Sequence, residues 1–323
     1  MSLVTQHAQR VRDAVAAGDA ARSVLIASWQ RSLELHGLDP ASTAQVQVHT
    51  GAEIAARGAA LGDILFAADA RLDGFWAGLR GTRACLAISD ADGIVLRLIA
   101  PDADRQELRD NGLRLGSDWN EAQLGTNGIG TCLADRQARF IHLDQHFRAQ
   151  DDGISCIALP FHDHLGQLAG AVNLTFYGRA AARVPAGLFL APMRELAFQI
   201  ETDHFHRSFA PGRIVALSGH PRPGAALVAV DRDGVVLGAN RAARQVCGLN
   251  DAGIRAGILL DALEGGEGQR DGLVDAERGS LRRALLRSRG NVSAAARDLG
   301  ISRATMKRKL RDHGLSPRRP EGD

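Results

Sequence analysis

Asn291-Val292-Ser293-Ala294-Ala295-Ala296-Arg297-Asp298-Leu299-Gly300-Ile301-Ser302-Arg303-Ala304-Thr305-Met306-Lys307-Arg308-Lys309-Leu310 carries its fold in its spacing. Val292, Ala295, Ala296 and Leu299 fall at i, i+3, i+4 and i+7, one apolar helical stripe, and Asn291 stands where an N-cap belongs. Gly300-Ile301-Ser302 makes a turn, and Ser302 caps the next helix. Ile301 just before that cap and Met306 four positions after it form a hydrophobic staple. Met306, Leu310 and His313 share a face, and Gly314-Leu315 supplies a glycine C-cap with its apolar contact. A preceding helix is expected from about Ala276 to Ser288, with Leu281, Ala284 and Leu285 inward and Gly290 as its stop. The three helices read as a small all-α helix-turn-helix domain.

Burying Met306 and Leu310 leaves Ala304, Arg308 and Arg311 on the opposite face, flanked by Arg303, Thr305 and Lys307. Such a face suits a recognition helix. Arginine pairs bidentately with guanine in the major groove, and small residues allow close approach or touch a thymine methyl. Lys309, Arg311, Asn291 and Ser293 are assigned to phosphates. Charge agrees. From Gly279 to Arg319 twelve basic residues face two acidic ones, a balance of +10, so in a chain of net charge +2 the other residues sum to −8. A basic module sits on an acidic body, the electrostatic footprint of a polyanion-binding head.

The body excludes several chemistries. Only two of the 39 basic residues are lysines, Lys307 and Lys309. Residues 1–306 therefore cannot hold a P-loop, a kinase site or a Schiff-base lysine. Cys85, Cys132, Cys156 and Cys247 show neither C-x-x-C nor metal spacing and read as reduced core thiols. The histidine pairs His142/His146, His162/His164 and His204/His206 are poorly placed for a metal, and none is expected, nor any cofactor. With no signal peptide and no apolar run near ~18 residues, the chain is expected in the cytoplasm, away from any membrane.

Upstream, Leu3, Val4, His7, Val11, Ala14 and Val15 recur at helical spacing. A second helix carries Leu25, Ile26, Trp29 and Leu33 and stops at Gly37 before Pro40. Between residues 61 and 207 strand-length apolar runs appear at Ala84–Ser89, Ile94–Ile99, Ser155–Phe161 and Leu168–Phe176. Asp90-Ala91-Asp92-Gly93 and Asp163-His164-Leu165-Gly166 are hairpin loops. This is an α+β region built on an antiparallel sheet. Ala186–Phe209 is helical, and strand–turn–strand restarts from Arg213 to about Leu263, where Asp231–Leu237 echoes Asp90–Leu96. Glu264–Gly279, rich in glycine and charge, reads as a flexible linker.

The block Gly290–Thr305 resembles the Fis-type helix-turn-helix. Ser28-Trp29-Gln30-Arg31-Ser32-Leu33 with His36-Gly37-Leu38-Asp39-Pro40 is similar to the N-terminus of acetoin and glycerol catabolism activators. Asp118-Trp119-Asn120-Glu121, Gly125-Thr126-Asn127-Gly128-Ile129-Gly130-Thr131 and Asp144-Gln145-His146-Phe147 are similar to the GAF sensor domain of those activators. Asp231–Gly238 with Ala239-Asn240-Arg241-Ala242-Ala243 resembles the start of a PAS domain. Members of that family normally carry an AAA+ ATPase between sensor and DNA-binding helices, acting on sigma-54 polymerase; this sequence departs from them there.

The resemblance implies a helical extension at 1–60, a GAF-like domain at 61–207, a short PAS-like domain at 208–263, a linker at 264–275 and a helix-turn-helix at 276–319. It implies a ligand pocket drawn from Trp119, Asn120, Glu121, Thr126, Asn127, Thr131, Cys132, His146 and Cys156, although Gly125–Asn127 could equally serve only to cap the following helix. Expected partners are double-stranded DNA, a small-molecule effector, a second copy of the chain and RNA polymerase. The function expected is a ligand-responsive transcriptional regulator that is not an enzyme. The alternatives are a non-sensing competitor at the sites of a sigma-54 activator, and a thiol reductase using Cys85, Cys132 and Cys156.

Overall fold

A computed structural model describes residues 2–264, 272–288 and 290–315. The chain divides into two compact units, residues 1–163 with 167–204, and 164–166 with 205–323.

The first unit begins with α1 (Leu3–Ala16) and α2 (Val24–Gln30), which widens into a π-turn over Arg31–Leu35. Gly37 follows at φ 64°, the left-handed conformation that a helix stop of this kind requires. Then come α3 (Gly51–Ala60) and α4 (Gly62–Ala77), the hairpin β1 (Ala84–Asp90) and β2 (Val95–Ile99), and the short helices α5 (Arg105–Asp110), α6 (Glu121–Leu124) and α7 (Gly128–Asp135). β3 (Arg139–His142), β4 (Ile154–His162), β5 (Leu168–Tyr177) and α8 (Ala186–Ser208) follow, residues 205–208 of α8 belonging to the second unit.

All five strands pair antiparallel in the order β2-β1-β5-β4-β3. The central strands are buried on both faces, and their two-residue period divides the side chains between two cores. Leu86, Ile88, Ile157, Leu159, Phe161, Val172 and Leu174 pack against α4 and α8 through Leu65, Ala68, Leu72, Met193, Leu196 and Ile200. Cys85, Ala87, Cys156, Ala158 and Ala171 face the other way, toward Trp119, Ile129, Cys132 and Leu133. Large residues fill the first face and small ones the second.

In the second unit β6 (Arg213–Ala216), β7 (Leu227–Val230) and β8 (Val236–Ala239) form an antiparallel sheet in sequential order, followed by α9 (Arg241–Cys247), α10 (Asp251–Ala256) and α11 (Leu260–Glu264). The same unit contains α12 (Gly272–Arg287), α13 (Val292–Asp298) and α14 (Arg303–Asp312). α12 starts at Gly272 rather than Ala276, so the latter part of the expected linker is helix. Residues 265–271 of that linker lie outside the described ones. Arg283 of α12 donates to the carbonyls of Ala256 at 3.2 Å and of Gly257, tying the helical head to the small sheet domain.

Candidate functional site

α14 is fixed from both ends. The Ser302 hydroxyl accepts from the Thr305 amide at 3.0 Å, and Gly314 (φ 64°) closes the helix with Leu315 N–H donating to the Leu310 carbonyl at 2.8 Å. Asn291 Oδ1 accepts from the amides of Ser293 and Ala294 at 3.0 and 3.1 Å, so its side chain is committed first to capping α13. Met306 and Leu310 bury among Leu281, Ala284, Leu285, Ala295 and Ala296. Arg303, Ala304, Lys307, Arg308 and Arg311 are exposed, Thr305 and Ser293 half-buried.

Lys309 departs from the phosphate assignment. Its Nζ reaches Glu277 of α12, and His313 Nε2 lies 2.9 Å from the other oxygen of that carboxylate. Both contacts hold the Glu277 carboxyl below its ordinary range, Lys309 more than His313. The charge that sequence spacing placed toward the DNA backbone is thus turned along α14 onto the first helix of the head. Loss of the Ser302 cap is expected to destabilise the head by about 1 kcal/mol; a Ser302→Ala chain should lose that much in a urea titration, and an unchanged midpoint would show the cap to be dispensable.

The sensor candidates gather at the start of α7 but serve different ends. Asn127 spends every hydrogen bond locally. Its Oδ1 accepts from the Gly130 amide at 2.8 Å, and Nδ2 donates to the carbonyls of Trp119 and Gly125 at 3.0 and 2.9 Å. A side chain at Gly130 would collide with the Glu121 amide and the Trp119 carbonyl, which explains the glycine. Asn120 Oδ1 caps α6, accepting from the Ala122 amide at 2.8 Å, while Nδ2 donates to the Asp92 carbonyl.

Glu121 is 3% exposed. It accepts from Arg31 Nε at 2.7 Å, from Arg31 Nη2 at 3.1 Å and from the Ser28 hydroxyl at 2.7 Å. Burial pushes its pKa up, yet the bonds from Arg31, Ser28 and Thr131 outweigh burial and the pKa lies below the usual glutamate value. The hydroxyls of Thr126 and Thr131 sit 2.7 and 3.2 Å from Ser28 Oγ, and Arg31 also reaches Asp135 at 3.0 Å. The π-turn beginning at Arg31 therefore clamps α7 from both sides, at Glu121 before it and at Asp135 in its last turn.

Of the nine sensor candidates, Trp119 and Cys156 share a cavity. It lies between α7 and the small-residue face of the sheet, walled also by Leu113, Gly128, Ile129, Ile154, Asn173 and Thr175. Glu121, Thr126 and Thr131 face α2 instead, Asn120 and Asn127 are caps, and Cys132 is core. His146 is buried, with Nδ1 2.8 Å from the Leu143 carbonyl; burial lowers its pKa and keeps it neutral. Burial likewise raises the Cys85 and Cys132 thiols, and pushes Cys156 up to about 12. Asn173 and Thr175 escaped the sequence reading, as did the pairing roles of Ser28 and Arg31. Their signal was two polar residues alternating within the apolar run Leu168–Phe176.

The comparisons with known proteins bear on this arrangement. The model of the MimR N-terminal domain matches residues 5–201. The chain belongs to the MimR family. The model of the Fis family of bacterial regulatory proteins matches residues 272–313, the helical head. Residues 202–271 between the two matches contain no lysine. The acetoin catabolism regulatory protein of Cupriavidus necator is 28% identical over 221 residues, 67% of this chain and 33% of that protein. The propane 2-monooxygenase operon transcriptional activator MimR of Mycolicibacterium smegmatis is 29% identical over 175 residues, 50% of this chain and 27% of that one. The chain thus spans a third or less of the length of these curated relatives. Among solved structures the E. coli DhaR(N)–DhaL complex aligns with TM-score 0.50 and 20% identity, over 70% of this chain and 77% of that one, a likeness of fold. Among the described residues no helix is long and apolar enough to cross a membrane.

Proposed function

We propose that this chain is a sequence-specific DNA-binding transcriptional regulator whose five-stranded domain, read as a GAF sensor over residues 61–207, detects a small effector of the acetoin or diol type. The observation that carries the reading is the face of α14. Arg303, Ala304, Lys307, Arg308 and Arg311 stand in solvent while Met306 and Leu310 lock the helix to its domain. One such helix reads too few base pairs for specificity, so the chain works as a homodimer on two half-sites. β6–β8 with α9–α11 are read as a short PAS-like domain joining sensor and head. The lysine-free interval before the head supports action without an ATPase; the reading places the chain in the cytoplasm with RNA polymerase as its downstream partner. That same interval favours a second reading, occupation of sites belonging to longer sigma-54 activators without sensing. Raised thiol pKa values speak against the reductase alternative, which needs thiolates.

Genomic fragments retained by the full chain test this. The expected result is a shared inverted repeat with half-sites about 34–36 Å apart, and retention that changes with an added effector. Retention without a common sequence would remove the regulator reading. Overlap with sigma-54 activator sites and no effector response would install the second one.

A further inference from the structure

α12 serves two contacts at once. Its Leu281, Ala284 and Leu285 bury in the core that α13 and α14 share. Its Gly279 and Arg283, one turn apart on another stripe, meet the small sheet domain. There α10 ends at Gly257, whose φ of 83° stops the helix and leaves its last carbonyls without helical amides. The Arg283 guanidinium donates to two of these carbonyls, that of Gly257 and, at 3.2 Å, that of Ala256, and to the Ser280 hydroxyl at 3.0 Å. A cation on the final carbonyls of a helix is favourably placed against the negative end of its dipole.

The surface that Arg283 grips is itself held by the sheet. Val236 N–H donates to the Ile258 carbonyl and Leu260 N–H to the Gly234 carbonyl, both at 2.8 Å, and Leu259 is bridged to Val235. Leu260 is buried in the core of the small domain. Two glycines let α12 approach this segment. A Cβ at the buried Gly279 would stand 3.3 Å from Leu259 Cδ1, and one at Gly257 would stand 2.5 Å from Arg283 Nη2. One glycine lies on each side of the contact, and Arg283 lies between them. The flanking pair Arg282–Asp261, 3.9 Å apart and largely in solvent, contributes little.

We infer that Arg283 is a positioning residue: by capping α10 from α12 it makes the head and the small sheet domain one body, so that α14 meets DNA in a fixed orientation. A head held in this way engages a second half-site only at the spacing its body allows. A head released from α10 turns on its covalent link and meets half-sites on other faces of the duplex. Arg283 thus governs the choice between half-site spacings without touching a base. The effect on spacing rests on the DNA-binding reading above, while the docking itself is measured without DNA, so the two fail separately.

Spin labels on the full chain, attached through Leu237→Cys and Asp312→Cys with Cys247→Ser, report the separation of β8 and α14 by double electron–electron resonance. The expected result is one narrow distance distribution, broadened by Arg283→Ala and by Gly257→Ala, whose methyl group displaces the guanidinium from the other side. Unlabelled chains are then titrated with the operator and with a duplex whose half-sites are moved apart by about five base pairs, half a helical turn. The native chain should bind the shifted duplex at least about tenfold more weakly, since both heads can no longer engage together, and Arg283→Ala should bind the two duplexes within about threefold. Affinity for a duplex carrying one half-site should be the same for both chains. Should Arg283→Ala lower the urea midpoint of the head, Gly257→Ala, which leaves every residue of the head in place, carries the comparison. Four outcomes overturn the inference: a broad distribution in the native chain, a narrow one retained by both variants, a native chain indifferent to spacing, or a variant that keeps the native preference. Weaker binding of Arg283→Ala to every duplex, the single half-site included, would overturn it too, by making Arg283 a DNA contact.

Discussion

Arg31→Leu is expected to remove about 3 kcal/mol of folding stability at neutral pH, the lower edge of what breaking a buried ion pair costs. The lower edge applies because the Arg31 side chain keeps 31% of its surface in water, whereas Glu121 keeps 3%. Without the guanidinium, the carboxylate retains only the Ser28 and Thr131 hydroxyls against its burial, and burial is the largest influence on it. The pH dependence follows with a definite sign. In the native chain the Glu121 pKa lies below its unfolded value of about 4.3, so its contribution is present above that value and is lost as pH falls through the folded pKa. In Arg31→Leu burial is no longer outweighed and the pKa moves upward. The deficit relative to the native chain should then shrink as pH is lowered from 7 toward 4. Urea titrations at several pH values measure this. The double variant Arg31→Leu/Glu121→Leu should recover most of the loss, since an apolar pair in such a site is nearly neutral. A single-variant loss under 1 kcal/mol that is flat with pH would mean that the pair is solvated and the clamp on α7 weak.

That clamp marks where the sequence stops being readable. Strand-length apolar runs announced β1, β2, β4 and β5 within a residue or two, because the central strands β1, β4 and β5 are buried on both faces and the edge strand β2 begins buried. Caps announced α7, α13 and α14, because Asn127, Asn291 and Ser302 act on their own neighbours. Both are local signals. Glu121 and Arg31 are ninety residues apart, and nothing in either stretch names the other. The polar residues of 119–131 therefore looked like a ligand set, although Asn127 was already satisfied by Trp119, Gly125 and Gly130, and Thr126 and Thr131 by Ser28. Asn173 was missed for the opposite reason. Its significance lies in what fails to touch it, since its Oδ1 has no hydrogen-bond partner among the described residues, and that depends on alanines from β1 and β4 and a glycine from α7, three separate stretches of chain. Lys309 shows the same limit within the head, since its position on α14 was legible and its partner on α12 was not.

The head offers the larger functional effect. Arg308→Ala is expected to lower affinity for the operator by about 1–3 kcal/mol for each half-site, if its guanidinium pairs bidentately with a guanine. A two-fold dimer carries the change twice, so about 2–6 kcal/mol is lost, roughly 30-fold or more in affinity. Binding to unrelated DNA should change little, and specificity should relax at the one base pair that Arg308 reads. Lys309→Ala separates this from general electrostatics. Lys309 is spent on Glu277, so its removal should leave the salt dependence of operator binding unchanged and instead loosen α12 from α14, seen as a lower urea midpoint. Gel-shift titrations at two or more salt concentrations with operator and scrambled duplexes read both variants. If Arg308→Ala weakens every duplex equally and flattens the salt slope, the residue meets phosphate rather than base. If Lys309→Ala does so, the ion pair with Glu277 opens on DNA, and the recognition helix carries one more phosphate contact than its free structure displays.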